Sequence, residues 1–566
     1  MKKLFLGFSL LAALALTSCS DFLDKEIEGY ATDETFYKTQ REIQEALNAT
    51  YDILQSDSYN DQEWRFGEAT ADNVIGGDEG LSSQMGQLVQ FQFDTSNTWI
   101  LQRWQVNFRG VHRANQVIAN MNKVKITTTN YNTYLAVREI YGQAKFLRAF
   151  FYFNLVKTFG GVPIRPETET VEGLVIPRNT LEECYAYIEK DLREAALMLP
   201  VTYDGNNKGK ATKGAAVALL MKVLMYQAKP GDESEYSQLK WHQMKEIGDY
   251  FVGGKTMTYG QMVQFSGSSD EWETLRKRLW FKPLELAAEG DPYEGADSPL
   301  DALSSAYSLE YRDNYGNLLH NGDRYSYIYQ WYKEGEFCRG SVFEVVFKES
   351  GDGTSGDTNE GAGIYLFNSN QMWATSDLLK KIFDGDVRSE KEFIIHHQQN
   401  TPDGLIWQNI EGHYVTLKWY IPQKDYPKYD GDNQCNRRVI RYPEVVLMYA
   451  EALNECGDRE GALTQLNNCK QQVNNINSST QLYVAGGYAK MRDQIWQERR
   501  MEFAFEWDRF FDIVRQGRAA EVLHTFGASR PNNRGRFFTK GVNEVFPIPQ
   551  NTIDLSNGIV VQNDGY

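Results

Sequence analysis

The chain has 566 residues, a formal net charge of −17 and a 13% share of aromatic residues. Removing residues 1–18, which hold Lys2 and Lys3 and no acidic residue, takes the charge from −17 to −19. Nucleic-acid phosphates are bound by clustered Lys and Arg, so this balance argues against a nucleic-acid partner and favours neutral ligands or a well-solvated surface. With 42% hydrophobic residues the chain can bury a large core, and its length allows more than one domain.

The first residues predict export. Lys2 and Lys3 precede an apolar run, Leu4 to Leu16, which is too short to cross a bilayer and is followed by small polar residues, as in a secretory signal. The next residues, Leu16-Thr17-Ser18-Cys19, resemble a bacterial lipobox, which implies cleavage before Cys19 and its lipidation. The acidic SDFLDKE that follows resembles a surface-export tag. The alternative is a secreted protein in which Cys19 is incidental and the acidic stretch a solvated linker.

The other cysteines do not predict a metal site. They are odd in number, which excludes complete disulfide pairing in an exported protein, and no CxxC occurs. We therefore expect no metal and no cofactor. These cysteines are Cys184, Cys338, Cys435, Cys456 and Cys469.

The N-terminal half contains several helical patterns. The strongest covers 138–163, where Ala144, Leu147, Phe151 and Leu155 fall on one face of the predicted helix. Gly160-Gly161 and Pro163 end this helix. Thr180 and Glu183 form a capping box for another. The polar, Gly-rich stretch 57–99 is typical of a loop. The other predicted helices cover about 40–54, 104–121, 180–199 and 214–228.

The segment 252–440 shows little helical periodicity. Ser341–Phe347 alternates enough to predict a strand, and the rest is rich in Gly, Asp and Tyr. We interpret it as a loop-rich insertion on a helical scaffold, where binding residues tend to lie.

The stretch 441–517 predicts a helical hairpin. Pro443 suits a first helical position, and Gly457 suits the left-handed conformation that ends a helix. The segment 462–474 then returns antiparallel, as in tetratricopeptide repeats, although no exact 34-residue period is present. The aromatic, charged run 495–517 continues the helical pattern.

These blocks resemble the SusD/RagB family. RYPEVVLMYAEALNE (441–455) and ERRMEFAFEWDRFFDIVRQG (498–517) are similar to its C-terminal blocks, Arg148 to Phe153 with Gly160 to Pro163 to its N-terminal block, and FPIPQ (546–550) to its closing phrase. The sequence departs from the family pattern at Trp507, where Gly is usual, and at Ser556, where the last segment often has Asn-Pro. The resemblance implies a mainly α, SusD-like fold with degenerate tetratricopeptide hairpins and a loop-rich insertion containing a few short strands. The expected divisions are a signal peptide at 1–18, an N-terminal region at 19–250, a ligand-binding insertion at 251–440 and a C-terminal region at 441–566.

The same resemblance implies a function. SusD-like proteins are surface lipoproteins of Bacteroidetes that capture nutrients and pass them to a SusC-like TonB-dependent transporter. We therefore expect an outer-membrane, lipid-anchored, surface-exposed protein that binds an oligosaccharide or polysaccharide without cleaving it.

Catalytic motifs are weak. Gly351, Gly353 and Gly356 satisfy GxGxxG, but no helical pattern follows, and neither HExxH nor GxSxG occurs. The charges at 498–512 are expected to pair with each other and with helix ends. We expect no catalytic residue.

Aromatic residues on irregular segments are the candidate ligand-binding groups, because flat rings cover the apolar faces of sugars and polar side chains satisfy the hydroxyls. Trp104 and Asn115 lie in a helical pattern and are assigned to the core and to a cap. The candidate ligand-binding residues are Asp72, Asn73, Trp99, Tyr315, Trp331 and Trp373.

Three alternatives stay open at this point. The ligand of the same importer could be a peptide, or the protein could be a surface glycan hydrolase, although no fixed pair of carboxylates supports that. The third alternative is a purely scaffolding helical-repeat protein. The export signal argues against an intracellular scaffold.

Overall fold

The computed structural model is mainly helical, and it confirms the mainly α fold class. The predicted signal peptide and Cys19 lie outside the residues that it describes, as does Tyr315. The described residues are 36–75, 79–124, 131–168, 175–255, 303–309, 320–321, 324–325, 330–347, 373–383, 386, 388, 394–396, 414–419, 421, 423–425, 434–474, 481–529 and 534–566.

The predicted helices before residue 256 are present to within a few residues at most ends, whereas three elements between 57 and 90 and the helix at 235–251 were not predicted. The helical elements of this part are α1 (Gln40–Gln55), α2 (Asp57–Trp64), a π-helix (Arg65–Ala69), α3 (Gln84–Gln90), α4 (Thr98–Asn120), a 3-10 turn (Met121–Lys123), α5 (Tyr131–Phe159), α6 (Leu181–Met198), a 3-10 turn (Gly205–Asn207), α7 (Lys213–Gln227) and α8 (Glu235–Phe251).

Later helices are shorter until the C-terminal hairpin. They are α9 (Leu303–Ala306), 3-10 turns at Lys333–Gly335, Leu417–Trp419 and Gln423–Asp425, α10 (Ser376–Phe383), α11 (Tyr442–Glu455), α12 (Arg459–Asn474), α13 (Tyr488–Glu502), α14 (Arg509–Arg515), α15 (Ala519–Ala528) and α16 (Gln550–Leu555).

Local sequence explains where several helices begin and end. The capping box predicted for α6 is present, because Thr180 Oγ1 accepts from the Glu183 N–H while the Glu183 carboxylate accepts from the Thr180 N–H. Pro443 lies in the first turn of α11, as predicted. Gly457, just past its end, has φ +92°, the left-handed conformation expected of a helix stop.

The helices stack in sequence order. α4 packs on α5, α5 on α6, α6 on α7 and α7 on α8, and α8 then packs against α11, whose partner in the predicted hairpin is α12. α7 is buried on nearly every side, as a helix in the middle of such a stack must be. The N-terminal and C-terminal helices therefore share one core.

A buried ion pair accounts for the Arg in the N-terminal block. Arg148 of α5 pairs with Asp191 of α6 at 2.7 Å between Nε and Oδ2, and Lys145 Nζ lies 3.0 Å from Asp191 Oδ1. Arg148 also donates to Asn115 Oδ1. Trp104 is an interior residue, as expected, but Asn115 lies within α4, between its caps Asn97 and Met121, so the expected capping role was wrong.

The described strands form two-stranded antiparallel pairs. β1 (Val74–Ile75) pairs with β5 (Trp373–Ala374), β2 (His320–Asn321) with β3 (Arg324–Tyr325), and β6 (Ile394–His396) with β7 (Tyr414–Thr416). The predicted strand is β4 (Ser341–Val345), which pairs with β8 (Arg437–Arg441), with irregular register near Phe343.

Two expectations about regularity were wrong. The stretch 57–99 contains helices, because polar side chains such as Asn60 and Gln62 are buried there and give no apolar period. The run 495–517 is interrupted at 503–508 between α13 and α14. In the C-terminal stretch, the short helix α16 begins directly after Pro549.

No helix within the described ranges is both long enough and apolar enough to cross a membrane.

Candidate functional site

A strand pair joins two of the sequence zones that were expected to bind ligand. Ile75 faces Trp373 and Val74 faces Ala374 in the β1–β5 ladder. Thr375 extends the junction, since its N–H donates to Asn73 O at 2.8 Å and its Oγ1 donates to Asp72 O at 3.0 Å. The early loop and the central segment therefore meet, although 300 residues of sequence separate them.

Asp72 lies beneath this junction and is 5% exposed. Its carboxylate accepts from Arg509 Nε at 2.8 Å and pairs with Arg500 Nη2 at 3.0 Å. Burial alone would raise the pKa of Asp72, but the two guanidinium groups outweigh it and hold the pKa well below the usual range of an aspartate. Asp72 therefore links α13 and α14 to the segment between the π-helix and β1.

Asn73 is buried beside it, at 1% exposure. Its Oδ1 accepts from Arg500 Nε at 2.9 Å, and its Nδ2 donates to Glu68 Oε1 at 3.2 Å. The expectation that Asp72 and Asn73 present free polar groups at the surface was wrong, because both are enclosed by interior partners. They support the junction from below.

Trp99 is only partly buried, as a surface aromatic requires. It lies in the first turn of α4, where Asn97 Oδ1 accepts from its N–H at 3.1 Å. The guanidinium carbon of Arg65 is 4.0 Å from the centre of its ring, and Arg65 itself pairs with Asp61 at 2.7 Å. A cation stacked on indole stabilises the ring's orientation, so Trp99 is a preorganised aromatic surface.

Trp331 occupies a different environment from the one expected. It is 4% exposed, with Lys418 Nζ and Arg441 Cζ 4.8 and 4.9 Å from its ring centre. The prediction of an exposed, ligand-facing ring at this position was wrong, because the indole is a contact for buried cations. Burial lowers the pKa of Lys418 to about 8, although Glu506 opposes that shift.

The remaining predicted residues are described in part or not at all. The backbone of Trp373 lies in β5, opposite Ile75, and its side chain is outside the described atoms. Tyr315 and Cys19 lie outside the described residues.

Sequence reasoning missed a stacked pair of aromatic residues near the interruption at 503–508. The rings of Trp419 and Trp507 stack with centres 4.6 Å apart and planes 10° apart, and Arg437 lies 4.8 Å from the Trp507 ring. Trp507 has φ +71°, a conformation that favours glycine. The departure from the family's usual Gly at this position was the signal that could have marked it.

Glu68 of the π-helix holds that interruption. Its carboxylate accepts from the N–H groups of Phe505 at 3.1 Å and Trp507 at 3.2 Å, both residues with positive φ. Burial raises the pKa of Glu68 to about 7, although the hydrogen bonds that it accepts lower it in part. π-helices recur at functional sites, and this one also carries Arg65, which contacts Trp99.

The charges at 498–512 are paired, but most of their partners lie outside the stretch, contrary to the expectation that they pair with each other and with helix ends. Arg499 Nη2 lies 3.3 Å from Asp512 Oδ1 within it, whereas Glu502 Oε1 lies 2.7 Å from Arg441 Nη1 of β8. These carboxylates hold α13 against α14 and against β8.

Concave surfaces lie elsewhere as well. A cleft of about 640 Å3, in the size range of ligand pockets, lies between α6, α7 and α8 and is lined by Tyr185, Tyr226, Tyr236 and Phe511. It contains none of the predicted binding residues. Within the described part of the chain, no group of three or more His, Cys, Asp or Glu side chains could hold a metal ion.

Comparison with known proteins agrees with the geometry. Residues 341–566 match the model of the SusD family, and residues 21–225 match a model described as starch-binding associating with outer membrane. SusD-like protein P38 of Formosa agariphila is 25% identical over 92% of this chain and 93% of the relative. A SusD-like protein of Bacteroides ovatus is 24% identical over 89% of this chain and 80% of its own length.

Solved structures share the fold. A laminarin binding SusD-like protein superposes with a TM-score of 0.65 at 22% identity, covering 94% of this chain and all of that one. Surface glycan-binding protein A of Bacteroides thetaiotaomicron, in complex with laminarihexaose, gives 0.65 at 20% identity, covering 93% of this chain and 99% of that one. With two family models that together span most of the sequence, this chain belongs to the SusD/RagB family.

Proposed function

We propose that the chain is a cell-surface lipoprotein that captures an oligosaccharide or polysaccharide and delivers it to a SusC-like TonB-dependent transporter. The β1–β5 junction carries the proposal, because it brings the segment after the π-helix against Trp373. The same π-helix carries Arg65, which stacks on the partly exposed ring of Trp99. The solved relatives named for binding laminarin and laminarihexaose support a glycan ligand.

Burial removes three of the predicted residues from the binding face. Asp72, Asn73 and Trp331 are enclosed by interior partners, the first two beneath the β1–β5 junction. Trp99, which stacks on Arg65, and Trp373 in β5 are the aromatic groups that we assign to sugar contact, with Tyr315 as a third. A ring that is already oriented loses little entropy when a sugar stacks on it, and a few aromatic contacts usually supply most of the binding free energy.

Calorimetric titration with a panel of polysaccharides, including laminarin and soluble starch, tests the ligand. For any glycan that binds the wild-type protein, we expect Trp99→Ala and Trp373→Ala each to weaken binding about tenfold or more. Tyr488→Ala is the matched control, because Tyr488 is an exposed aromatic residue outside the site. Unchanged affinity in both tryptophan variants would refute the site. Binding of peptides and of no glycan would favour the peptide alternative, and release of sugar products would favour the hydrolase.

Anchoring and delivery need separate measurements. Lipidation at Cys19 predicts that labelled palmitate is incorporated into the wild-type protein and is absent from the Cys19→Ser variant. Surface exposure predicts that protease added to intact cells removes the protein. Delivery to a transporter predicts that a TonB-dependent barrel copurifies with the protein from native outer membranes.

A further inference from the structure

A hollow of about 90 Å3 lies away from the β1–β5 junction, between the segment 201–212 and the start of β4. Since one water needs roughly 10–15 Å3 by this kind of measure, the hollow is large enough for a single carboxylate or sulfate group. Its lining includes three cationic and four aromatic side chains. They are Lys208, Lys210, Arg339, Tyr203, Tyr307, Phe337 and Phe343.

These cations are not committed to ion pairs within the described ranges. Lys208 Nζ lies 5.9 Å from the ring centre of Phe337, and Lys210 Nζ lies 5.9 Å from that of Tyr203. By contrast, interior cations such as Lys145 and Arg441 each have carboxylate partners. The hollow thus brings together three cations that have no ion pair among the described residues, on a chain with a net charge of −17.

The nearby carboxylates do not neutralise the hollow. Glu344 lines it, but its oxygens accept from the Phe337 N–H at 2.9 Å and from Asn436 Nδ2 at 3.0 Å. The charge of Glu139, on α5, raises the pKa of Lys210, but partial burial lowers that pKa by more. An incoming anion would therefore meet a cation that has lost solvent and has no direct partner.

Two uncharged groups complete the hollow. Ser341 Oγ lines it, is shielded from solvent and has no hydrogen-bond partner within the described part of the chain. Gly209 has φ +92°, and a Cβ there would lie 2.2 Å from Val346 Cγ2. Glycine thus allows the loop to lie against β4, so that Lys208 and Lys210 flank the same space.

We propose that this hollow binds one anionic oxygen group, a carboxylate or a sulfate ester, carried by an acidic saccharide. The three N–H donors of each lysine, the five of the Arg339 guanidinium and the Ser341 hydroxyl can supply the hydrogen bonds that such a group accepts. The saccharide part of the proposal rests on the proposed function. It assigns the captured glycan, or a second stretch of it, to the acidic class.

Calorimetric titration with two matched pairs of probes tests the proposal. Trigalacturonate is compared with neutral maltotriose, and a sulfated galactan tetrasaccharide with its desulfated form. We expect at least one acidic probe to bind more tightly than its neutral counterpart, and its affinity to fall as NaCl is added. Lys208→Gln and Arg339→Gln should each weaken that binding about tenfold. Lys490→Gln, which removes the same charge from an exposed position elsewhere, should leave it unchanged.

The outcomes separate this inference from the proposed function. Neutral glycans that bind through Trp99, with acidic probes no better and no effect of Lys208→Gln or Arg339→Gln, would overturn the inference and leave the proposed function standing. Saturable binding of inorganic sulfate that is lost in Arg339→Gln, together with no binding of any glycan, would support the anion site and refute the proposed function. Unaltered melting temperatures of the variants would show that they fold.

Discussion

The Glu68 carboxylate accepts a hydrogen bond from the backbone N–H of Trp507, 3.2 Å away and 439 positions along the chain. The bond fixes a residue with φ +71° in a conformation that ordinary side chains avoid. It links the π-helix that carries Arg65 to the turn between α13 and α14. Four predictions about stability follow from this region.

The first concerns pH. Burial raises the pKa of Glu68 to about 7, against 4.5 in the unfolded chain. Between these values the folded protein keeps a proton that the unfolded chain has released. Stability from this group is therefore complete below pH 4.5 and is lost as pH rises to about 7, by up to about 3 kcal/mol. Glu336, whose pKa burial also raises to about 7, contributes with the same sign.

Urea denaturation at pH values from 4.5 to 7.5 measures this effect. Glu68→Gln should flatten the fall in the free energy of unfolding across that range, and adding Glu336→Gln should flatten it further. Glu521→Gln, at an exposed position, is the control and should leave the profile unchanged. A profile for Glu68→Gln parallel to that of the wild type would contradict the assignment.

The second prediction isolates backbone strain at Trp507. Trp507→Ala and Trp507→Gly both lose the stack with Trp419 and should both destabilise the protein by about 3–5 kcal/mol. Because φ is positive here, the Gly variant should be about 1 kcal/mol more stable than the Ala variant. At Trp496, inside α13, the order should reverse, because Gly is the poorer helix former. If the Gly and Ala variants had the same order of stability at both positions, Trp507 would not be strained.

The third prediction concerns the charges beneath the β1–β5 junction. Asp72→Asn removes the carboxylate shared by Arg500 and Arg509, which leaves Arg500 with Asp377 and Arg509 without its direct ion-pair partner among the described residues. We expect a loss of about 3–5 kcal/mol in the free energy of unfolding at pH 7. Asp554→Asn, on an exposed turn of α16, should cost under about 0.5 kcal/mol. A loss for Asp72→Asn as small as the control's would indicate that solvent reaches the two arginines.

The fourth prediction concerns close packing of the π-helix. A Cβ on Gly67 would lie 1.7 Å from Trp507 O, and the obstacle is backbone. Gly67→Ala should therefore destabilise the protein by about 3 kcal/mol or more, since α14 has to move away. At Gly487, φ is −70° and nothing lies within 4 Å of an added Cβ, so Gly487→Ala should be close to neutral. Differential scanning calorimetry of the two variants gives the comparison.

The sequence predicted most of the helical scaffold because local chemistry determines it. The Thr180–Glu183 capping box, Pro443 in the first turn of α11 and Gly457 after its end each act within a few residues. Pairing of the charges at 498–512 was anticipated because unpaired charges are rarely buried, but most of the partners lie in distant segments.

The candidate site was less predictable because long-range contacts decide it. Nothing near Asp72 in sequence announces Arg500 and Arg509, so a loop aspartate was expected to be free when it is an interior ion-pair partner. Trp331 was expected to be exposed, but Lys418 and Arg441 approach from distant segments and enclose it. The α2 helix escaped notice because its buried residues are polar, with Asn60 donating to Leu54 O.

The contact between Arg500 and Asp72 joins residues 428 positions apart. It can form only in a chain that already includes α13. A polypeptide that ends before α13 would lack both Arg500 and Arg509, so we expect the segment around its Asp72 to stay open to proteases. The C-terminal helices are therefore needed to complete the N-terminal part of the molecule.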